Sequence, residues 1–503
     1  MAEKRATQYH HNFQKELDRL NEQQRIAVEQ IEGPVLVVAG PGTGKTHILS
    51  ARIGRILAET DTQPFNILCL TFTDAGAHAM RERLLQFIGP AAHNVHIYTF
   101  HSFCNKVIQE NLELFGIQKL EPLSDLERVE FIRKMIDVLP LDHPLKRGRR
   151  DIYFYEKHLH NLFQMIKKEN WTEAFLHQNI KTYLAELPKR QEYIYQRKAG
   201  RYERGEVKEG KLKKETEKME RLWSAASLFD DYVRLLQSNR RYDYEDMLLW
   251  VIREFGRFEK LLRFYQEQYL YLLVDEYQDT SGAQNKILQQ LVTYWVNPNV
   301  FIVGDDDQSI YEFQGARLKN LVDFHQQYEE YLKVVFLKNN YRSSQAILDV
   351  AKVLIDKNQK RISRELKVDK NIIAQHPQFL KTGVKPVIIA YPNRMQEETA
   401  IMSTIQELHK KGILYEEMAV IYARHRQARN LIELLEKQGI PYQTKRKVNI
   451  LDLPMIENLR FLLEYINLEY KRIYNGEHLL FQILHFNFLE IPHADLLNIS
   501  RYL

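Results

Sequence analysis

At 503 residues, with 44% hydrophobic and 27% charged side chains, the chain has an ordinary globular composition and the length for about three domains. Its net charge of +5, from 71 basic against 66 acidic residues, is too small to establish a nucleic-acid partner, so any such affinity must come from a local groove. Only two cysteines occur, Cys69 and Cys104, both in apolar surroundings. No apolar run approaches the ~20 residues of a membrane span, and residues 1–8 lack a signal-peptide core, so a reduced, cytoplasmic protein is expected.

From Pro34 to about Cys104, short apolar strands alternate with amphipathic helices. Val35–Ala39 runs into a glycine-rich turn and a helix, and residues 67–73 form the next strand, a pattern that predicts a parallel sheet covered by helices. From Asn105 to about Arg240 the spacing turns helical, as in Met219, Leu222, Ala226, Phe229, Val233 and Leu236. Within it, Glu203 to Arg221 is dense in charge and reads as a solvated helix or loop. Strands return at residues 269–275, 300–304 and 334–337, so the helical block is an insertion into an α/β domain. A further α/β segment follows, with strands expected near residues 387–391 and 419–422, and residues 475–503 read as helical.

Ala39, Gly40, Pro41, Gly42, Thr43, Gly44, Lys45 and Thr46 follow a strand and open a helix, the context a P-loop requires. Glycines let backbone amides approach phosphates, and the helix amino terminus favours their charge. Lys45 is placed to reach the β- and γ-phosphates of ATP, and the Thr46 hydroxyl to bind Mg2+. Two later strands stop at carboxylates. Asp275 and Glu276 end the first and supply a magnesium ligand and a water-positioning base. Gln308, beyond the second, is placed to sense the γ-phosphate, and the aromatic Tyr311 and Phe313 just after it suggest a stacking ligand. Tyr341 suits an adenine face, and Arg342 suits transition-state charge. His158 and His160 have no partner at metal-ligand spacing.

The order of these motifs resembles the UvrD/Rep group of superfamily 1 DNA helicases. Leu20–Val28 is similar to the group's glutamine motif, which implies Gln24 on the adenine edge. Residues 71–77, 99–104, 242–248, 274–280, 304–311 and 340–343 follow in family order. The resemblance implies a RecA-like P-loop motor domain (1–104 and 241–335) carrying a helical insertion (105–240). It also implies part of a second RecA-like domain (336–475) and the start of a second insertion (476–503). It further implies an ATP- and Mg2+-dependent motor that tracks single-stranded DNA, or a single-strand/duplex junction, 3′ to 5′. Phe72, His101, Tyr311 and Phe313 fall where the group contacts DNA.

Three positions depart from the pattern and each lowers positive charge near a ligand: Asp74-Ala75, Gln314, and His47 after the P-loop. The group's last motifs are not found either. The expectation is therefore an amino-terminal portion with weak or no unwinding alone, needing a missing region or a protein partner. The competing reading is a non-catalytic, nucleotide-gated DNA-binding subunit; a small-molecule P-loop kinase would leave the aromatic run after Gln308 unexplained.

Overall fold

The computed structural model describes residues 13–116, 120–147, 151–197, 202–309, 318–358, 361, 364, 370–380, 384–444, 453–492 and 494–496. These fall into two compact units, Met1–Pro386 and Val387–Leu503.

In the first unit, β1 (Val35–Ala39), β2 (Ile67–Thr71) and β3 (His96–Thr99) precede the helical insertion. The insertion is bracketed by two short strands, β4 (Glu121–Pro122) and β5 (Arg241–Tyr242), which pair with each other. β6 (Tyr271–Val274), β7 (Val300–Gly304) and β8 (Lys333–Leu337) follow, and six strands form one parallel sheet in the order β3-β2-β6-β7-β1-β8. Strands β1, β2, β6 and β7 are buried at every position, because helices cover both faces and leave no place for polar alternation. Leu36 and Val38 pack to one side with Phe103, Val251, Phe255, Tyr265 and Leu288. Val35, Val37 and Ala39 pack to the other with Ile48, Ile53, Met80, Leu84 and Phe87.

The insertion holds its own core, built around Phe131, Ile132, Ile136, Phe163, Ile166 and Tyr232. That core begins at Leu123. Val107, Ile108 and Phe115, expected in the insertion from their place in the chain, pack instead in the core of the sheet. The charged segment continues into helix Glu209–Ser227, whose buried residues are Ala225 and Ala226 at its far end, as expected of a solvated helix. Insertion and sheet domain are joined by a buried lysine. Lys167, fully buried, reaches Asp243 and Asp246 at 2.8 Å each, and Tyr232 donates to Asp243 at 3.1 Å.

In the second unit, helices Arg394–Lys410 and Arg429–Lys437 pack through Leu431, Leu435 and Ile440 against Ile401, Met402 and Ile405. Helix Glu477–Leu484 lies in the segment read as helical. The strands expected near residues 387–391 and 419–422 are not formed. Both runs are unpaired, with Ile388 100% and Ile421 95% exposed. An apolar run becomes a strand only when neighbouring chains take its backbone hydrogen bonds, and among the described residues none does.

Candidate active site

The parallel registers put Val38 opposite Gly304, and Val274 opposite Ile302. The segments following β1, β6 and β7 therefore emerge along one edge of the sheet, where ligands of open α/β sheets bind. The P-loop between β1 and helix Lys45–Glu59 needs its glycines. Gly42 and Gly44 take φ of +69° and +93°. A Cβ on Gly42 would lie 2.6 Å from that of Arg342, and one on Gly44 would lie 2.9 Å from Gln24 Nε2. Thr43 is fully buried and its hydroxyl donates to the Gly40 carbonyl at 2.8 Å, closing the turn.

Gln24 sits in helix Glu22–Glu29, where it completes a capping box with Asn21 and donates to the Thr43 carbonyl at 2.9 Å. The buried Arg52 ties that helix to the P-loop helix, donating to the carbonyls of Ala27 at 2.8 Å and Ile31 at 3.0 Å. On the far side, Tyr341 N–H donates to the Gly42 carbonyl at 2.8 Å, and Asn21 Nδ2 donates to the Tyr341 hydroxyl at 2.9 Å. Asn340, fully buried in the short strand β9 (Asn339–Asn340), donates to the Pro41 carbonyl. Its own Oδ1 accepts from the Arg342 and Ser343 amides at 2.8 and 2.7 Å. Arg342 is thus carried to the P-loop with an exposed side chain.

Beyond β6, the Lys45 ammonium pairs with Glu276. Glu276 is held at φ +48°, a left-handed conformation costly for a side chain with a Cβ and typical of functional turns. Asp275 Oδ1 accepts the Glu276 N–H at 2.9 Å. Burial first, then the Glu276 charge, pushes the Asp275 carboxyl up to about 6. The same two causes lift Asp279 to about 6. Three carboxylates gathered on one lysine form a site short of positive charge. A dication would favour the ionised form of all three, so this acid set fits a divalent cation.

Gln308 lies at the end of β7 and hydrogen-bonds Asp305. The carboxylates of Asp305, Asp306 and Asp307 approach within 4.8 Å of one another. They are already matched: Lys370 touches all three, at 2.9 Å from Asp307, and Arg361 forks onto Asp307 at 2.7 and 2.6 Å. Burial of Lys370 works against its charge, but the three carboxylates outweigh it and raise its pKa.

Phe72 and His101, both half-buried, follow the ends of adjacent strands β2 and β3. Burial, more than any neighbouring charge, lowers the pKa of His101. Tyr311, Phe313 and Gln314 lie outside the described residues. Sequence reasoning passed over several residues at this edge. Asn340 and Gln278 lie inside the segments 340–343 and 274–280, but their contacts with Pro41 and Asp305 join distant parts of the chain. Tyr244 is 63% exposed at the rim of a pocket of about 450 Å³ between insertion and sheet domain, lined also by Arg128, Gln164 and Lys168. Its place in the quoted motif at 242–248 was the available signal.

A parallel sheet whose P-loop follows one strand and whose acid pair follows another, with β7 between them, defines a P-loop nucleoside triphosphatase. Residues 20–329 match the UvrD/REP helicase N-terminal domain, and residues 335–500 match the UvrD-like helicase C-terminal domain. The chain belongs to the UvrD/REP helicase family. It is 29% identical over 430 residues to the ATP-dependent DNA helicase PcrA of Staphylococcus aureus, covering 85% of this chain and 50% of that protein. It is 28% identical over 453 residues to the PcrA of Bacillus subtilis, covering 90% and 54%. The chain thus spans about half the length of these curated relatives. The match over 335–500 corrects the reading of this chain as an amino-terminal portion with only part of a second domain, and the expected need for a missing region or partner loses its support.

Proposed function

We propose that this chain is an ATP-driven motor on DNA, a helicase or translocase that moves 3′ to 5′ along a single strand. The observation that carries the reading is the convergence of Lys45, Glu276, Gln308 and Arg342 at one sheet edge, with Phe72 and His101 at the ends of β2 and β3 on the same edge.

Lys45 and Glu276 pair directly. Phosphate draws Lys45 away, and Glu276 is then released to take a proton from the attacking water. The water oxygen bonds to the γ-phosphorus, and the bond from that phosphorus to the β–γ bridging oxygen breaks, giving ADP and phosphate. Thr46 and Asp275 would hold the magnesium ion, which screens phosphate charge when bound. Arg342 faces the charge that develops on the transferred group, and Gln308 reads its presence. Phe72, His101, Tyr311 and Phe313 serve the DNA bases, each stack contributing about 1–3 kcal/mol with little regard to sequence. Such stacking suits a motor that must pass over any base.

The test is ATP hydrolysis with and without single-stranded DNA in the wild type, Lys45→Ala and Glu276→Gln. Stimulation by DNA in the wild type, and a fall of at least about a hundredfold in both variants, is expected. Absence of DNA binding at low salt, where phosphate contacts are strongest, would rule the reading out.

A further inference from the structure

Gln278 is 1% exposed and lies two residues beyond Glu276. Its Nε2 donates to Glu276 Oε2 at 2.8 Å, the same oxygen that meets Lys45, and more weakly to Asp279 Oδ2 at 3.4 Å. Its Oε1 accepts the Asp305 N–H at 2.9 Å. A backbone N–H can only donate, so this contact fixes which end of the amide faces which neighbour. The fit is close: a Cβ on Gly304 would lie 3.1 Å from that Oε1. Asp305 in turn accepts from the side chain of Gln308. One buried amide therefore spans from the acid after β6 to the segment after β7.

We infer that Gln278 is a positioning residue for hydrolysis, holding the Glu276 carboxylate in place once Lys45 has left it and tying it to the segment that carries Gln308. The inference rests on the reading of Glu276 as the group that receives the water's proton. Lys45 and Gln278 share one Glu276 oxygen. When Lys45 turns to phosphate, the Gln278 donor is the contact that remains. It occupies one oxygen and leaves the other for water. A shift at Gln308 moves Asp305, and through its amide moves Gln278 and the acid together.

The experiment measures kcat and KM for DNA-stimulated ATP hydrolysis, and binding of a non-hydrolysable ATP analogue. The variants are Gln278→Met, Gln278→Glu, Glu276→Gln, Lys45→Ala and the double variant Gln278→Met with Glu276→Gln. Gln278→Met keeps the volume and loses both hydrogen bonds; Gln278→Glu keeps the acceptor and loses the donor. Both are expected to lower kcat about 10- to 100-fold with analogue affinity within about twofold. The double variant is expected to be no slower than Glu276→Gln alone, because Gln278 acts only through that acid. A structural role would instead add the two losses. Should Gln278→Met fold poorly, Gln278→Glu carries the same comparison. If Lys45→Ala and Glu276→Gln abolish hydrolysis while the Gln278 variants keep kcat within twofold, or if the losses add, this inference is overturned and the active-site reading stands. If Lys45→Ala and Glu276→Gln stay active, the reading itself fails.

Discussion

Two of the acid clusters around a lysine in the first unit, those of Lys167 and Lys45, differ in how their charges balance. At the junction of insertion and sheet domain, Lys167 has no exposed surface, two carboxylates at 2.8 Å, and Arg128 at 3.7 Å from one of them. At the nucleotide site a single lysine faces Glu276, with Asp275 and Asp279 close by. Burial pushes carboxyls up in both places, Asp246 in the first and Asp275 and Asp279 in the second. What separates them is the supply of positive charge. The junction's charges are matched within the chain, whereas the acids beside Lys45 outnumber that cation. A complete buried cluster resists change, and an over-acidic one is ready to bind.

The strongest way to break this contrast is to remove the junction lysine. Lys167→Met leaves Asp243 and Asp246 buried with only the more distant Arg128 to answer them, and unpairing a buried charge typically costs about 3–5 kcal/mol. Chemical denaturation is expected to register a loss of that order, with analogue affinity at the P-loop little changed in the protein that remains folded. A variant as stable as the wild type would show that the junction is not a closed ionic unit.

A second effect, about tenfold per pH unit for each coupled proton, belongs to the nucleotide site alone. Asp275 and Asp279 are raised from 3.8 to about 6 in the folded chain. A raised carboxyl contributes stability that is fully present below its unfolded value, near pH 4, and is lost as pH rises through about 6. Magnesium nucleotide needs the ionised form, so its affinity should fall as pH drops from 7 to 5. Calorimetric titration at stepped pH measures this directly. An affinity flat across that window would mean that these carboxyls do not meet the ligand's charge.

The two clusters were not equally legible in the sequence. The P-loop could be read residue by residue, because phosphates are gripped by consecutive backbone amides and that demand is local. Asp275 and Glu276 were legible for the same reason, as a strand end placed after a P-loop. The Lys45–Glu276 pair joins residues 231 apart, and the Asn340 clamp spans 299, so only the strand order makes them neighbours. Lys167 was invisible: on an amphipathic helix it reads as one more surface lysine. Failure ran the other way at residues 387–391 and 419–422. There the strand pattern is plain in the sequence, but strands need partners, and local pattern does not supply them.

The smallest effect gives the sharpest sign test. Asp279 belongs to the over-acidic site, and its Oδ1 is buried without a hydrogen-bond partner among the described residues. Asp279→Asn removes a charge that its surroundings disfavour, so the nucleotide-free protein should become more stable, by less than about 1 kcal/mol once solvent screening is allowed for. Asp243→Asn makes the same chemical change in the balanced cluster, where the carboxylate meets Lys167, Arg128 and Tyr232. There the loss of charge leaves a buried lysine under-matched, and stability should fall. One substitution type thus yields opposite signs at two sites in one sheet domain. Thermal melts of both variants without nucleotide decide it. If both are destabilised, the nucleotide site is as internally balanced as the junction, and its fit for a dication loses its physical basis.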